Sequence, residues 1–286
     1  MNLRRFVIVS GLSGGGKSVA LRALEDAAFY CVDNLPAGFL EDFAHFVASG
    51  DSPHYANVAV GVDARNPASD LSQFPGILDA LSAMNLEVEL VFIEANDQTL
   101  INRFSETRRR HPLSSGEQAL HQAIKQERIL MQALSERADL RLDTSHSNVH
   151  QFRQIVNDRL ARRDSNQLSM QVCSFGFKNG VPPDADFVFD LRCLPNPYWH
   201  PNLRDFTGRD QEIQEFLNGD DLVEAMITDI TEMMRKWIPR FTSENRSYLT
   251  VAVGCTGGRH RSIYVAERIS ANFKDEYDIL VVHRDN

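Results

Sequence analysis

A glycine-rich segment near the N-terminus has the residue types and spacing of a phosphate-binding loop. Gly11 is followed, after four residues, by Gly16-Lys17-Ser18, which matches the pattern G-x-x-x-x-G-K-[ST]. The glycines let backbone N–H groups turn toward phosphate oxygens, Lys17 can reach the β- and γ-phosphates, and the Ser18 hydroxyl can bind Mg²⁺. We therefore predict a site for a nucleoside triphosphate with Mg²⁺. Its contacts, which we call the nucleotide loop, are Gly11, Leu12, Ser13, Gly14, Gly15, Gly16, Lys17 and Ser18.

The residues around the nucleotide loop have the pattern of a strand that leads into a helix. Residues 6–9 are an apolar run, and residues 19–26 are amphipathic, with the helix N-terminus toward the anion site. Strand and helix patterns alternate along the rest of the chain, which is typical of parallel sheets with crossover helices. The predicted strands are 28–33, 57–62, 88–93, 138–142, 168–175, 187–191 and 248–254, and the predicted helices are 39–48, 71–84, 98–109, 117–135, 149–160, 213–238 and 261–273.

A charged stretch with few apolar residues, 161–167, interrupts this alternation. We therefore predict an α/β protein with two domains. Residues 1–160 would form a nucleotide-binding domain with a parallel sheet, and residues 161–286 would form a second α/β domain.

Composition and charge narrow the functional class. The 286 residues are 43% hydrophobic and 24% charged, as in ordinary globular proteins, and no apolar run approaches the roughly 20 residues that cross a bilayer. We expect no signal peptide, because the N-terminus leads straight into a strand, and four cysteines without paired spacing are expected to be reduced thiols of a cytoplasmic protein. The net charge of −9 argues against diffuse nucleic-acid binding, so such binding would need a local basic patch.

Acidic residues follow three predicted strands of the first domain. Asp33, Asp63 and Glu94 stand at the carboxyl ends of their strands, where open α/β sheets bind ligands. Glu94 has the position of a ligand to a Mg²⁺-bound water, and Asp33 that of a substrate-binding carboxylate. Arg103 and the arginines at 108–110 could form a lid over the phosphates. Loop capping by the acids and a solvated basic helix face are the alternatives, so these residues fit a small-molecule kinase or a nucleotide switch.

A second glycine-rich segment, residues 254–262, lies between a predicted strand and a predicted helix. Its backbone N–H groups and arginines form an anion site suited to a phosphate group. Cys255 and Arg261 also have the C-x₅-R spacing of cysteine phosphatases, although no general-acid loop is identifiable and the spacing is a loose pattern. A surface turn with arginines is the third interpretation. Three nearby acids could be metal ligands or ordinary turn residues: Asp184, Asp186 and Asp190.

Longer matching stretches resemble the RapZ/YvcJ family of bacterial nucleotide-binding proteins, the RNase adapter proteins. The resemblance covers residues 10 to about 270, nearly the whole chain. The stretches are S-G-L-S-G-G-G-K-S-V-A-L-R-A-L-E-D, F-Y-C-V-D-N-L-P, D-A-R-N, T-R-R-R-H-P-L, S-F-G-F-K-N-G-V-P, F-D-L-R-C-L-P-N-P and N-R-S-Y-L-T-V-A-V-G-C-T-G-G-R-H-R-S.

The resemblance implies a kinase-like first domain that binds ATP at the nucleotide loop and GTP at Asp63, Ala64, Arg65 and Asn66. It implies a second domain similar to a sugar-phosphate-binding fold of the phosphofructokinase type. In enterobacterial members that domain binds glucosamine-6-phosphate and a small regulatory RNA, presents the RNA to an endoribonuclease and so controls amino-sugar synthesis. Those members are homotetramers, and hydrolysis of the nucleotide would be slow. The phosphosugar and RNA contacts would be Thr256, Gly257 and Arg261, with Arg246 and Ser247 nearby.

Two positions depart from the enterobacterial pattern. Tyr198 replaces a histidine, and residues 274–286 are acidic where those members carry a basic tail that serves RNA. A small-molecule kinase and a nucleotide-dependent switch that binds a protein partner without RNA therefore remain as alternatives.

Overall fold

The structure, a computed structural model, describes residues 4–50, 52–114, 120–161, 168–244 and 246–285. It consists of two compact units, Met1–Arg162 and Arg163–Asn286. Most of the predicted linker, residues 162–167, lies outside the described residues, as does the predicted start of the helix at 117.

The first unit is built on a parallel sheet of five strands in the order β2-β3-β1-β4-β5. Its strands are β1 (Arg4–Gly11), β2 (Tyr30–Val32), β3 (Asn57–Gly61), β4 (Leu86–Glu94) and β5 (Leu140–Asp143). Its helices are α1 (Lys17–Asp26), α2 (Leu40–Ser49), α3 (Ala68–Ser82), α4 (Asp97–Thr107), α5 (Leu120–Leu130), α6 (Gln132–Glu136) and α7 (Val149–Val156).

The central strand β1 is buried along nearly its whole length, and its apolar run, residues 6–9, is covered on both faces of the parallel sheet. Phe6 and Ile8 belong to the main core with Leu40 of α2 and Leu71 of α3. Since β3 and β4 flank β1, the segments that follow these three strands meet at one edge of the sheet. That edge carries the nucleotide loop.

The second unit contains a parallel sheet of four strands in the order β7-β8-β6-β9. Its strands are β6 (Ser169–Gly176), β7 (Phe187–Asp190), β8 (Tyr248–Cys255) and β9 (Asp278–His283), and its helices are α8 (Gln211–Asn218), α9 (Asp221–Ser243) and α10 (Arg261–Phe273). The predicted α/β class with parallel sheets is confirmed.

Three details of the predicted elements are wrong. The helix expected at 213–238 is two helices, because the first ends at Asn218 with Gly219 as its C-cap, and Asp220 caps the next by accepting the backbone N–H groups of Leu222 and Val223. The long helix expected to end at 135 is divided between Leu130 and Gln132. Residues 278–283, interpreted from the sequence as part of an acidic tail, form the edge strand β9.

Candidate functional site

The nucleotide loop packs directly against the end of β4. Gly11 has φ 137°, and a Cβ atom there would lie 2.0 Å from the backbone oxygen of Ile93. The Leu12 backbone N–H donates to that same oxygen at 2.9 Å. Only glycine fits this approach, which fixes the start of the loop at the centre of the sheet.

Lys17 lies within the loop at the start of α1. Its Nζ donates to the backbone oxygens of Gly11 at 2.8 Å and of Leu12 at 3.1 Å. Burial lowers the pKa of Lys17, and the carboxylates of Asp63 and Glu127 partly offset this effect. A phosphate group at this position would give the ammonium a charged partner, and the first turn of α1 adds N–H groups without intrahelical acceptors.

A buried carboxylate holds the nucleotide loop from α5. Glu127, which is fully buried, accepts the Ser13 backbone N–H at 3.0 Å and the Ser13 hydroxyl at 2.6 Å. The second oxygen of Glu127 lies 3.0 Å from Nε2 of His111. This chain of three side chains connects the loop with the segment that follows the arginines at 108–110.

The other side of the loop is fixed by Arg103 and Thr144. Arg103 donates to the Gly14 oxygen at 2.9 Å and to the Thr144 oxygen at 2.8 Å, while the Thr144 hydroxyl donates to the Gly15 oxygen at 2.7 Å. The sequence predicted that Arg103 covers the phosphates as part of a lid. The structure differs, because the guanidinium binds the backbone of the loop itself.

The four residues of the predicted GTP site follow β3 and divide into two pairs. Ala64 and Asn66 are buried, and Asn66 accepts the Ala37 backbone N–H at 2.7 Å, so this pair supports the loop internally. Asp63 and Arg65 form a paired carboxylate and guanidinium at 2.7 to 3.0 Å. Burial acts to raise the pKa of Asp63, but the hydrogen bonds from Arg65 outweigh it and the net shift is downward.

Asp33 completes this edge of the sheet. Its carboxylate is mostly exposed and lies 4.0 Å from the Arg65 guanidinium. Asp33, Asp63 and Arg65 are thus brought together beside Lys17, as expected for acids at the ends of neighbouring strands.

Glu94 differs from the sequence expectation. One carboxylate oxygen of Glu94 accepts hydrogen bonds from Arg141, and the other lies 3.7 Å from Arg128. Glu94 was expected to bind a metal-bound water, but both of its carboxylate oxygens are paired with guanidinium groups. Arg128 also pairs with Asp97 at 2.8 Å, so Glu94 belongs to an ion-pair cluster.

Among the described residues, no group of three or more histidine, cysteine or acidic side chains could hold a metal ion. Ser18, the predicted contact to nucleotide-bound Mg²⁺, is exposed in the first turn of α1. Two of the three alternative metal ligands of the second unit are paired with arginines. Asp186 pairs with Arg246 at 2.8 Å, and Asp190 pairs with Arg192 at 2.7 Å.

The C-terminal loop, residues 254–262, joins β8 to α10. Gly258 has φ 76°, and a Cβ on Gly254 would lie 2.4 Å from the ring of Phe175, so both glycines are required by the packing. Arg261 is buried at the start of α10, and its Nη1 donates to the Leu194 oxygen at 2.9 Å. Thr256 and Arg259 are exposed and Gly257 is half-buried, so these three residues are the accessible part of the loop.

Arg246 and Ser247 do not lie near the C-terminal loop within one chain. They precede β8, whereas Thr256, Gly257 and Arg261 follow it or begin α10. Eight extended residues separate the two groups by about 25 Å. The prediction that these five residues lie close together is therefore wrong for a single copy of the chain.

Comparison with known proteins gives the same family for both units. Residues 4–164 match the RapZ-like N-terminal domain, and residues 168–286 match the RapZ C-terminal domain. The chain belongs to the RapZ family. A nucleotide-binding protein from Alkalilimnicola ehrlichii is 50% identical to this RapZ-family chain over 98% of each protein. Another from Stutzerimonas stutzeri is 47% identical over 98% of this chain and 99% of its own.

The resemblance inferred from the quoted motifs is thereby confirmed. Among solved structures, a shikimate kinase from Bacteroides thetaiotaomicron aligns with 54% of this RapZ-family chain and 97% of its own, at 14% identity and a TM-score of 0.38, a similarity too weak to bear on function. Within the described ranges, no helix is both long enough and apolar enough to cross a membrane.

The sequence interpretation of this RapZ-family chain missed Glu127, His111 and Thr144. A signal for Glu127 was present, since it lies among the buried apolar positions Ala123, Ile124, Met131 and Leu134 of one helical pattern. A carboxylate within such a stripe indicates a buried partner. Nothing comparable marked His111 or Thr144, whose contacts join segments far apart in sequence.

Proposed function

We propose that this RapZ-family chain is a nucleotide-binding regulatory protein that binds ATP or GTP with Mg²⁺ at the nucleotide loop. The supporting observation is the loop geometry, in which Lys17 is buried on carbonyl groups at the start of α1. Nucleotide binding is also supported by the two relatives that align with 98% of this chain, because both are named nucleotide-binding proteins. The residues Asp63, Ala64, Arg65 and Asn66 contribute to the same edge, where the exposed Arg65 is the group that a nucleotide can reach and the buried Asp63 holds it in place.

The second unit, in this proposal, senses glucosamine-6-phosphate at the C-terminal loop. A sugar phosphate would contact Thr256, Gly257 and Arg261, with Arg246 and Ser247 supplied from a second copy in a homotetramer. Support comes from the buried Arg261 and from the N-terminus of α10, which favours an anion.

The same unit binds a small regulatory RNA and presents it to an endoribonuclease, so that amino-sugar synthesis is controlled. An exposed pair of aromatic rings, Tyr198 and Trp199, supports an RNA contact, because unpaired bases stack on such rings. Arg204 lies over the Tyr198 ring at 5.1 Å. The segment is tied to the C-terminal loop, since Arg259 donates to the backbone oxygen of Phe206 at 3.2 Å.

The deciding experiment is a gel-shift titration of the full chain with a hairpin-containing small RNA at two salt concentrations, with and without glucosamine-6-phosphate. Tight binding that weakens with salt and changes with the sugar phosphate is expected. Trp199→Ala should weaken binding by roughly tenfold or more from lost stacking, whereas Phe46→Ala, an exposed aromatic of the first unit, serves as the matched control. RNA binding that is absent at low salt would favour a nucleotide-dependent switch with a protein partner.

A small-molecule kinase is the second candidate function. This alternative is favoured by a cluster of charged groups where a kinase would bind the molecule that accepts the phosphoryl group. The cluster consists of Asp33, Asp63 and Arg65 beside Lys17. Turnover of ATP with candidate hydroxyl acceptors distinguishes the two: a regulatory protein hydrolyses ATP slowly and transfers no phosphate, whereas a kinase yields a stoichiometric phosphorylated product.

A further inference from the structure

The thiol of Cys255 lies at the centre of the C-terminal loop. Cys255 is the last residue of β8, and five residues separate it from Arg261, which begins α10 and is followed by Ser262. The Gly258 backbone N–H donates to Sγ at 3.3 Å, and the Ser262 hydroxyl lies 3.2 Å from the same sulfur. Two groups from different parts of the loop thus converge on one sulfur atom.

A guanidinium group is fixed beside this sulfur. Nη1 of Arg261 donates to the backbone oxygens of Arg192 at 3.1 Å and Leu194 at 2.9 Å, and Nη2 lies 3.4 Å from the Thr256 hydroxyl. The Nε atom is buried and has no acceptor among the described residues. The side chain is therefore held in place and still has a donor to offer an oxyanion.

The pKa of Cys255 shifts in the opposite direction from those of half-buried Cys31 and buried Cys173. Burial acts to raise its pKa, but the hydrogen bonds from Ser262 and Gly258, together with the charge of Arg261, outweigh burial and lower the pKa. Burial raises the pKa of Cys31 to about 11 and that of Cys173 to about 12. The outcomes differ because the hydrogen bonds from Ser262 and Gly258 and the charge of Arg261 act together on Cys255, whereas burial dominates at Cys31 and Cys173.

We propose that Cys255 is a nucleophile that cleaves aryl phosphate monoesters in the C-terminal loop. The proposal rests on the phosphate site of the proposed function. The thiolate attacks phosphorus, an S–P bond forms, and the P–O bond to the aryl group breaks, so the aryl oxide leaves with the electron pair. Water then attacks the phosphocysteine, inorganic phosphate and a proton are released, and the thiolate is regenerated with Ser262 as its hydrogen-bond donor.

The restriction to aryl esters follows from the neighbouring acids. Asp190 ends β7 opposite Gly254, and Asp285 lies so close to the loop that a Cβ on Gly258 would be 3.0 Å from its Cβ. Hydrogen bonds from Arg192 lower the pKa of Asp190. Burial acts to raise the pKa of Asp285, but Arg284 and the Gly176 N–H lower it overall, so neither acid is tuned to donate a proton. A phenolic oxygen can leave unprotonated, but the alkyl oxygen of a sugar phosphate cannot. A sugar phosphate therefore binds the loop without being cleaved.

The test uses the full chain with p-nitrophenyl phosphate at neutral pH. We expect release of nitrophenolate and a phosphoryl adduct on the peptide that contains Cys255, detected by mass spectrometry after acid quenching. Cys255→Ser should lower turnover by at least roughly a hundredfold. Ser262→Ala should increase the fraction of adduct, because regeneration of the thiolate is slowed. Cys31→Ser is the matched control and should leave turnover unchanged.

Calorimetry with glucosamine-6-phosphate distinguishes a failure of the nucleophile proposal from a failure of the phosphate site. It is carried out on the unmodified chain and on Cys255→Ser. The sugar phosphate should bind both proteins and should inhibit cleavage competitively in the unmodified chain. The proposal is overturned if Cys255→Ser turns over p-nitrophenyl phosphate as fast as the unmodified chain. It is also overturned if the unmodified chain binds the sugar phosphate but forms no phosphoryl adduct on Cys255. Absence of sugar-phosphate binding in the unmodified chain overturns the phosphate site itself.

Discussion

Replacing Glu127 by alanine should destabilise the first unit by about 3–5 kcal/mol, because the buried Ser13 N–H, the Ser13 hydroxyl and His111 lose their shared partner and each unsatisfied buried group costs about 1–3 kcal/mol. The carboxylate accepts hydrogen bonds from the backbone and hydroxyl of Ser13 and lies 3.0 Å from His111 Nε2. Each hydrogen bond to a charged group contributes about 1.5–3 kcal/mol, but the contributions of one network are not additive. We therefore expect a total loss of stability that is smaller than the sum of the separate hydrogen bonds.

Two further variants test whether the loss of stability in Glu127→Ala comes from the lost charge or from the lost side-chain volume. Glu127→Gln keeps the volume and one acceptor oxygen but loses the charge, so a destabilisation of about 1.5–3 kcal/mol is expected. Glu136→Gln, on an exposed position of α6, is the matched control and should change stability by less than about 0.5 kcal/mol.

Hydrogen exchange measured by mass spectrometry reports the two units separately. In the alanine variant, amides of β1 should exchange between roughly a hundredfold and a few thousandfold faster, since every 1.4 kcal/mol corresponds to tenfold. Both tryptophans, Trp199 and Trp237, lie in the second unit, so the urea midpoint followed by tryptophan fluorescence serves as an internal control. Exchange of β1 within threefold of the unmodified chain would refute the role assigned to Glu127.

Three other changes have defined outcomes. Lys17→Ala should weaken ATP binding by about tenfold to a hundredfold in titration calorimetry, because it removes a charged hydrogen bond to phosphate, and unchanged affinity would contradict the loop assignment. Gly11→Ala should lower the melting temperature and abolish nucleotide binding, since its Cβ would lie 2.0 Å from the Ile93 oxygen. Asp285→Asn should flatten the acid dependence of the second unit's stability. Burial acts to raise the pKa of Asp285, but Arg284 and the Gly176 N–H lower it overall, so its stabilisation is present above the unfolded-state pKa and is lost as pH falls through the lower folded-state pKa. Denaturation midpoints between pH 2 and 5 measure this effect.

Local patterns were sufficient for the elements of the proposed nucleotide site. The G-x-x-x-x-G-K-[ST] spacing and the flanking apolar run predicted the loop between β1 and α1, because both depend on neighbours along the chain. Strand β9 was missed because its residues are only partly buried and its N-terminal neighbours are acidic. Its stabilising contacts are with β6, about 109 residues away, as in the hydrogen bond between Ser174 and His283.

The sequence by itself determined the family, the α/β class and the two glycine-rich loops between strand and helix, since each depends on residue order and spacing. Only the tertiary structure decided which charged groups remain available. It assigned Glu94 to two arginines and Arg103 to the backbone of the nucleotide loop, and it placed Arg246 at the far end of β8 from Thr256. The physical reason is that a charge in a folded chain takes the partner that strand order and packing bring near it, and that partner is usually distant in sequence.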